Sequence, residues 1–77
     1  MPKLPVITPL KLIKILEKVG FIEHIGSGSH RIMKHTDGRR TTIPVHGKDI
    51  PNGTLLAIIR DIEISKENLI YLLRNKK

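Results

Sequence analysis

Between Gly26 and His46 the chain reads Gly-Ser-Gly-Ser-His-Arg-Ile-Met-Lys-His, then Thr-Asp-Gly-Arg-Arg, then Thr-Thr-Ile-Pro-Val-His. Three of its four histidines and four of its fourteen Lys and Arg residues fall in this stretch, and no other segment sets a titratable group beside a small-residue loop. An imidazole titrates near neutral pH, so it can take or give a proton under physiological conditions. Successive N–H groups of a glycine-rich loop can hold an anionic oxygen, because glycine permits the dihedrals that aim them at one point. Together with neighbouring cations, these groups suit the chemistry of a phosphate ester. The bland reading beside it is a plain hairpin turn and a hydrogen-bonded histidine at the edge of a core.

The flanking elements must position this stretch. Met1 to Ile7 contains Pro2 and Pro5 and reads as an extended arm. Thr8-Pro9 is a helix start, with threonine as N-cap and proline in the first helical position. From Leu10 to Val19, Leu12, Ile15, Leu16 and Val19 share one side of a helical wheel with Ile13 beside them, while Lys11, Lys14, Glu17 and Lys18 take the other. Gly20 is the expected C-cap. Phe21–Ile25 is a short β-forming run between glycines and reads as the first strand.

Ser29–His35 and Arg39–His46 read as the second and third strands, joined at Asp37-Gly38, a strong hairpin signal. A two-residue turn there sets Thr36 opposite Arg39, Ile32 opposite Ile43, His30 opposite Val45 and Ser29 opposite His46. It predicts one apolar face with Ile32, Ile43 and Val45, and one mostly polar face with Arg31, Met33, His35, Arg40 and Thr42. His30 then lies on the apolar, helix-covered side, at a partly shielded rim. Pro44 cannot donate to a ladder, so the third strand is expected at a sheet edge. Asn52 is expected to cap a helix from Gly53 to about Ile62 that carries Leu55, Leu56, Ile58, Ile59 and Ile62. Ser65 is expected to cap another to about Arg74, with Leu69, Ile70, Leu72 and Leu73 inward. The order is α-β-β-β-α with a last helix added, an α+β architecture with helices on one face of a three-stranded antiparallel sheet.

Length and charge narrow the function classes. The 77 residues read as one domain, 1–77 with 1–7 as its arm, and a chain of this size buries only about 60% of its unfolded surface. Fourteen basic against seven acidic residues give +7 and a pI near 10.2, which favours a polyanion or an acidic protein as partner. One Phe, one Tyr and no Trp argue against readers that stack single-stranded bases on aromatic platforms. There is no cysteine for a disulfide or thiolate metal site. No apolar run approaches the ~20 residues of a membrane span, and no signal-peptide pattern opens the chain; a cytoplasmic location is expected.

Gly20-Phe21, Gly28-Ser29-His30, Asp37-Gly38-Arg39-Arg40, Ile43-Pro44-Val45-His46-Gly47 and Gly53-Thr54-Leu55, in this order and spacing, resemble the HicA family. Its members are small mRNA interferase toxins of type II toxin–antitoxin systems. The arm Pro2-Lys3-Leu4-Pro5 and the helix end Glu17-Lys18-Val19-Gly20-Phe21 are similar to it as well. The resemblance implies a double-stranded-RNA-binding-like fold, a ribonuclease that depends on the histidine of Gly-Ser-His, here His30, and a HicB-type antitoxin that covers the active face. Asp61-Ile62-Glu63 stands where relatives carry a glycine-containing join between the last two helices, and Arg31 where many carry a second histidine.

RNA carries its own nucleophile, the 2′-hydroxyl, so cleavage needs proton transfer and charge stabilisation rather than a metal. His30 is the expected general base or acid. Gly28 and Ser29, through their N–H groups, and Arg31, Lys34, Arg40 and Lys48 are the expected phosphate contacts. His46 is expected to be structural, and His24 and His35 to be ordinary surface residues. The histidines lack a tight ligand spacing, so neither metal nor cofactor is expected. Two other readings are a basic RNA-binding module of the same fold without catalysis, and a protein-interaction domain for an acidic partner. Product formation separates the first from a nuclease.

Overall fold

The computed structural model describes residues 4–25, 28–45 and 47–74. The elements run α1 (Pro9–Lys18), β1 (Ile22–Ile25), β2 (His30–Lys34), β3 (Arg40–Pro44), α2 (Asn52–Asp61) and α3 (Lys66–Arg74). The strands form one antiparallel sheet in the order β1-β2-β3. This is the α+β order expected of a double-stranded-RNA-binding-like fold, with the added C-terminal helix. β3 lies at an edge, as Pro44 requires.

Local chemistry sets the helix limits. Thr8 Oγ1 accepts the Lys11 N–H at 3.3 Å, and Pro9 takes the first helical position. At the other end Phe21 N–H donates to the Leu16 carbonyl at 3.0 Å and Gly20 N–H to that of Glu17 at 3.2 Å. This is a Schellman motif, and it needs the left-handed φ of +103° that Gly20 adopts. The end of α2 repeats the pattern, with Ile64 N–H donating to Ile59 and Glu63 N–H to Arg60, yet here the left-handed position is filled by Glu63 at φ 58°. Ser65 Oγ accepts the Asn68 N–H and caps α3. The expected cap at Asn52 is not formed: Pro51 holds the N-cap position without a side-chain bond, and Asn52 is already helical.

The core lies between the helices and one face of the sheet. Leu12 and Leu16 of α1, Leu55 and Ile58 of α2, Ile62 after it and Leu69 of α3 close over Met33 and Ile43, all at 2% exposure or less. Each such side chain stabilises the fold by about 1.5–3 kcal/mol, and truncating Leu16 to alanine would cost about 2–5 kcal/mol. Ile7 also belongs to this core, and its carbonyl accepts the Ile50 N–H at 2.9 Å; the arm is therefore tied down at its last residue. Leu56, also apolar on α2, is 40% exposed.

The β2–β3 register differs by one residue from the expected one. The pairs are His30 with Pro44, Arg31 with Ile43, Ile32 with Thr42, Met33 with Thr41 and Lys34 with Arg40. The cause is the turn. His35 N–H donates to the Arg39 carbonyl at 2.8 Å and Gly38 N–H to the His35 carbonyl at 3.0 Å, so the loop holds Thr36, Asp37 and Gly38. Gly38 supplies the left-handed residue (φ +102°) of a three-residue hairpin. A shift of one residue turns the side chains of β2 over relative to those of β3, which keep their expected faces. Met33, Thr41 and Ile43 point to the helices; His30, Ile32, Lys34, Arg40 and Thr42 point away. His30 is thus exposed on the open face rather than at a covered rim. Ser29 lies across from Val45, whose N–H donates to its carbonyl; His46 is outside the described residues, as are Gly26 and Ser27.

Candidate active site on the open sheet face

No described element covers the second face of the sheet. Across its three strands it presents His24, Ile32 and Thr42 in one row, Ile22, Lys34 and Arg40 in the next, and His30 beside Pro44 at the β2 entrance. His24, His30, Lys34, Arg40 and Thr42 are exposed, and Ile22 is 57% exposed. Strand backbone holds these side chains at regular spacings, about 3.3 Å per residue along a strand and 4.8 Å between strands.

The predicted site residues divide into separate groups. Gly28, Ser29 and His30 are consecutive at the entrance of β2, whereas Lys48 lines a hollow with Thr8, Pro9 and Leu10 at the start of α1. The Ser29–Val45 bond extends the ladder past His30, and exposed Gly47 and Lys48 come after it in the chain. Gly28 is exposed at φ +62° and leads into the strand. Lys34 and Arg40 face each other at the opposite end of the same face. Lys34 is four residues from His30, about 13 Å along the strand at the backbone. Arg31 is not brought to either group: it points to the helix side and pairs with Glu23.

His35, expected at the surface, is half-buried instead. Its ring meets Phe21 edge-on, with centroids 5.0 Å apart. A Cβ on Gly20 would lie 2.8 Å from its Nε2, so Gly20 makes room for it. Nδ1 accepts the Asp37 N–H at 3.1 Å. The Asp37 carboxyl is held below its ordinary value, first by the Arg39 N–H, opposed by burial, and helped by the Arg39 guanidinium and by His35. This cluster fastens the hairpin tip and takes no part in the open face.

His24, expected as an ordinary surface residue, shares the face of His30. Its partner across the strands is Ile32, two residues from His30 on β2, so the two histidines are diagonal neighbours on one face, a relation of about 7–8 Å. The signal for it is period-2 alternation on β1, but the pairing of β1 with β2 is not written in either strand. Among the described residues no three His, Asp or Glu side chains are grouped so as to hold a metal ion, and no helix is long and apolar enough to cross a membrane.

The arrangement sets basic side chains across an open sheet face, with an exposed imidazole at one end. A family model for the HicA toxin of bacterial toxin–antitoxin systems matches residues 11–64, from α1 through the sheet and α2. No curated protein matches the chain.

Proposed function

Because the chain belongs to the HicA toxin family, we propose that it is a ribonuclease, an mRNA interferase that acts in the cytoplasm and is neutralised by a HicB-type antitoxin. The observation that carries this reading is the position of His30: exposed, on a strand, at the end of an open face, next to Gly28 and Ser29.

In this reading an imidazole takes the proton of a 2′-hydroxyl or gives one to the departing 5′-oxygen. The 2′-oxygen bonds to phosphorus as the P–O5′ bond breaks, leaving a cyclic phosphate and a free 5′-hydroxyl. The N–H groups of Gly28 and Ser29 stabilise charge on the phosphoryl oxygens, and Lys48 adds a phosphate contact farther along the chain. Lys34 and Arg40 hold a flanking phosphate. Arg31, engaged by Glu23 on the other side of the sheet, supports the strands and not the RNA. No metal or cofactor has a role.

The test is RNA cleavage by the wild type and by His30→Ala, with and without chelator. A loss of at least about 100-fold in the variant is expected, with wild-type cleavage undiminished by chelator. Full activity in His30→Ala overturns the assignment. The pairing of Lys34 with Arg40 on the open face also suits a second reading, an RNA-binding module that cleaves nothing; salt-sensitive binding of RNA that stays intact with the wild type would select it. An antitoxin seated on the open face should co-purify at physiological salt.

A further inference from the structure

We propose that His24 is the second acid/base group of the ribonuclease site, working across the open face with His30; the inference rests on the ribonuclease reading above. Cleavage at a phosphodiester needs two proton transfers on opposite sides of phosphorus, because the entering 2′-oxygen and the leaving 5′-oxygen lie in line. One imidazole cannot serve both ends at once. With a hydrogen bond of about 2.7–3.0 Å at each end, the two groups must stand several ångström apart and face the same space.

His24 meets this requirement. It lies on β1 across from Ile32, on the face that carries His30. Both histidines are exposed, and the half-buried Ile32 lies beside both. Diagonal cross-strand neighbours of this type are about 7–8 Å apart at their backbones and within reach of each other's side chains. A scissile phosphate set between His24 and His30, at the entrance of β2, has one ring on each side. The proton of the 2′-hydroxyl passes to one neutral imidazole as the 2′-O–P bond forms. The other, as imidazolium, delivers its proton to the 5′-oxygen as the P–O5′ bond breaks, and solvent exchange restores the pair.

The other titratable groups are placed elsewhere. Lys34 and Arg40 share the face, but ammonium and guanidinium groups are too basic to suit proton exchange at neutral pH. Glu23 and Arg31 pair on the helix side. His35 packs on Phe21 and Gly20 there. Asp37, Asp61 and Glu63 border a hollow at the hairpin tip. Among the described residues, His24 is the group near His30 that shares both its face and its chemistry.

The experiment is the pH dependence of kcat/KM for RNA cleavage by the wild type, His24→Gln and His24→Asn, with thermal unfolding of each. A bell-shaped wild-type profile is expected. In both variants one limb disappears and the rate near the optimum falls about 100-fold or more, with unfolding unchanged because the site is exposed. A variant within threefold of wild type that keeps both limbs overturns the pairing, as does a slower variant whose profile keeps its shape. Wild-type protein that cleaves no RNA overturns the ribonuclease reading and this inference together, so the two failures are told apart.

Discussion

The guanidinium of Arg39 donates from Nη1 to the carbonyl oxygen of Ile62 at 2.6 Å, joining the hairpin tip to the end of α2. That carbonyl belongs to the helix terminus, where acceptors lack intrahelical partners. The same guanidinium lies 5.1 Å from the Phe21 ring centroid and donates from Nε to Asp37 at 2.8 Å. Nearby, Thr41 Oγ1 donates to Asp61 Oδ2 at 3.0 Å and satisfies the one buried polar side chain among the described residues. One planar cation therefore serves the sheet, the aromatic edge of the core and a helix end at once.

Arg39→Ala should destabilise the fold by about 2 kcal/mol, the sum of a charged hydrogen bond and a cation–π contact. For a chain of this size that lowers Tm by on the order of 10 °C. Arg39→Lys should recover only part of the loss, since an ammonium lacks the fork that spans Ile62 and Asp37. Urea unfolding of the three proteins measures it; equal stability of the alanine variant would remove the clamp.

Glu63 pays for its place in the join between α2 and α3. It is the one described non-glycine residue with positive φ, a conformation that costs an L-residue roughly 1–2 kcal/mol, and its carboxylate stands at the negative end of a helix dipole. Glu63→Gly should raise stability by about 0.5–1 kcal/mol after the added freedom of the unfolded chain is counted. Glu63→Gln relieves the charge alone and should gain less. Thermal unfolding of the pair separates the two terms.

The Asp37 carboxyl titrates below its ordinary 3.8 in the folded protein, chiefly through the Arg39 N–H. A carboxyl depressed by folding stabilises the folded state fully above its unfolded value and loses that contribution as pH falls through the folded one. Wild type should therefore exceed Asp37→Asn in stability at neutral pH. The difference should hold down to about pH 4 and shrink below it. Unfolding curves from pH 2 to 7 test this; a gap that is constant across the range contradicts it.

Lys34 and Arg40 are expected to grip a phosphate flanking the scissile one. Substituting either with alanine should weaken RNA binding at all sequences and reduce the slope of log K against log salt by about 0.7. The effect should fall more on KM than on kcat, because the groups stand about 13 Å along the strand from His30. Binding and cleavage titrated from low to high salt check both statements.

Much of the framework was legible in local chemistry. Thr8-Pro9, Gly20 and Ser65 mark helix limits that depend on hydrogen bonds within a few residues, and the structure forms those bonds. The α2 stripe of Leu55, Ile58, Ile59 and Ile62 follows from helical periodicity. The hairpin was legible too, but not its register. Asp37-Gly38 suits a two-residue turn, and Thr36-Asp37-Gly38 suits a three-residue turn ending in a left-handed glycine, so the local signal is the same for both. Ile32 and Met33 are adjacent apolar residues on β2, and alternation cannot say which of them faces inward.

The sequence by itself determined the element order, the basic balance and the presence of His30 at the head of a strand, because caps, periodicity and charge are properties of short stretches. Only the tertiary structure decided which face of the sheet His30 occupies. Burying Met33 and Ile43 beneath Leu12, Leu16 and Leu55 selects one of two registers one residue apart. That choice puts His30 on the open face and sends Arg31 to the far side, while the pairing of β1 with β2 sets His24 beside His30; these are relations between strands that no single stretch contains.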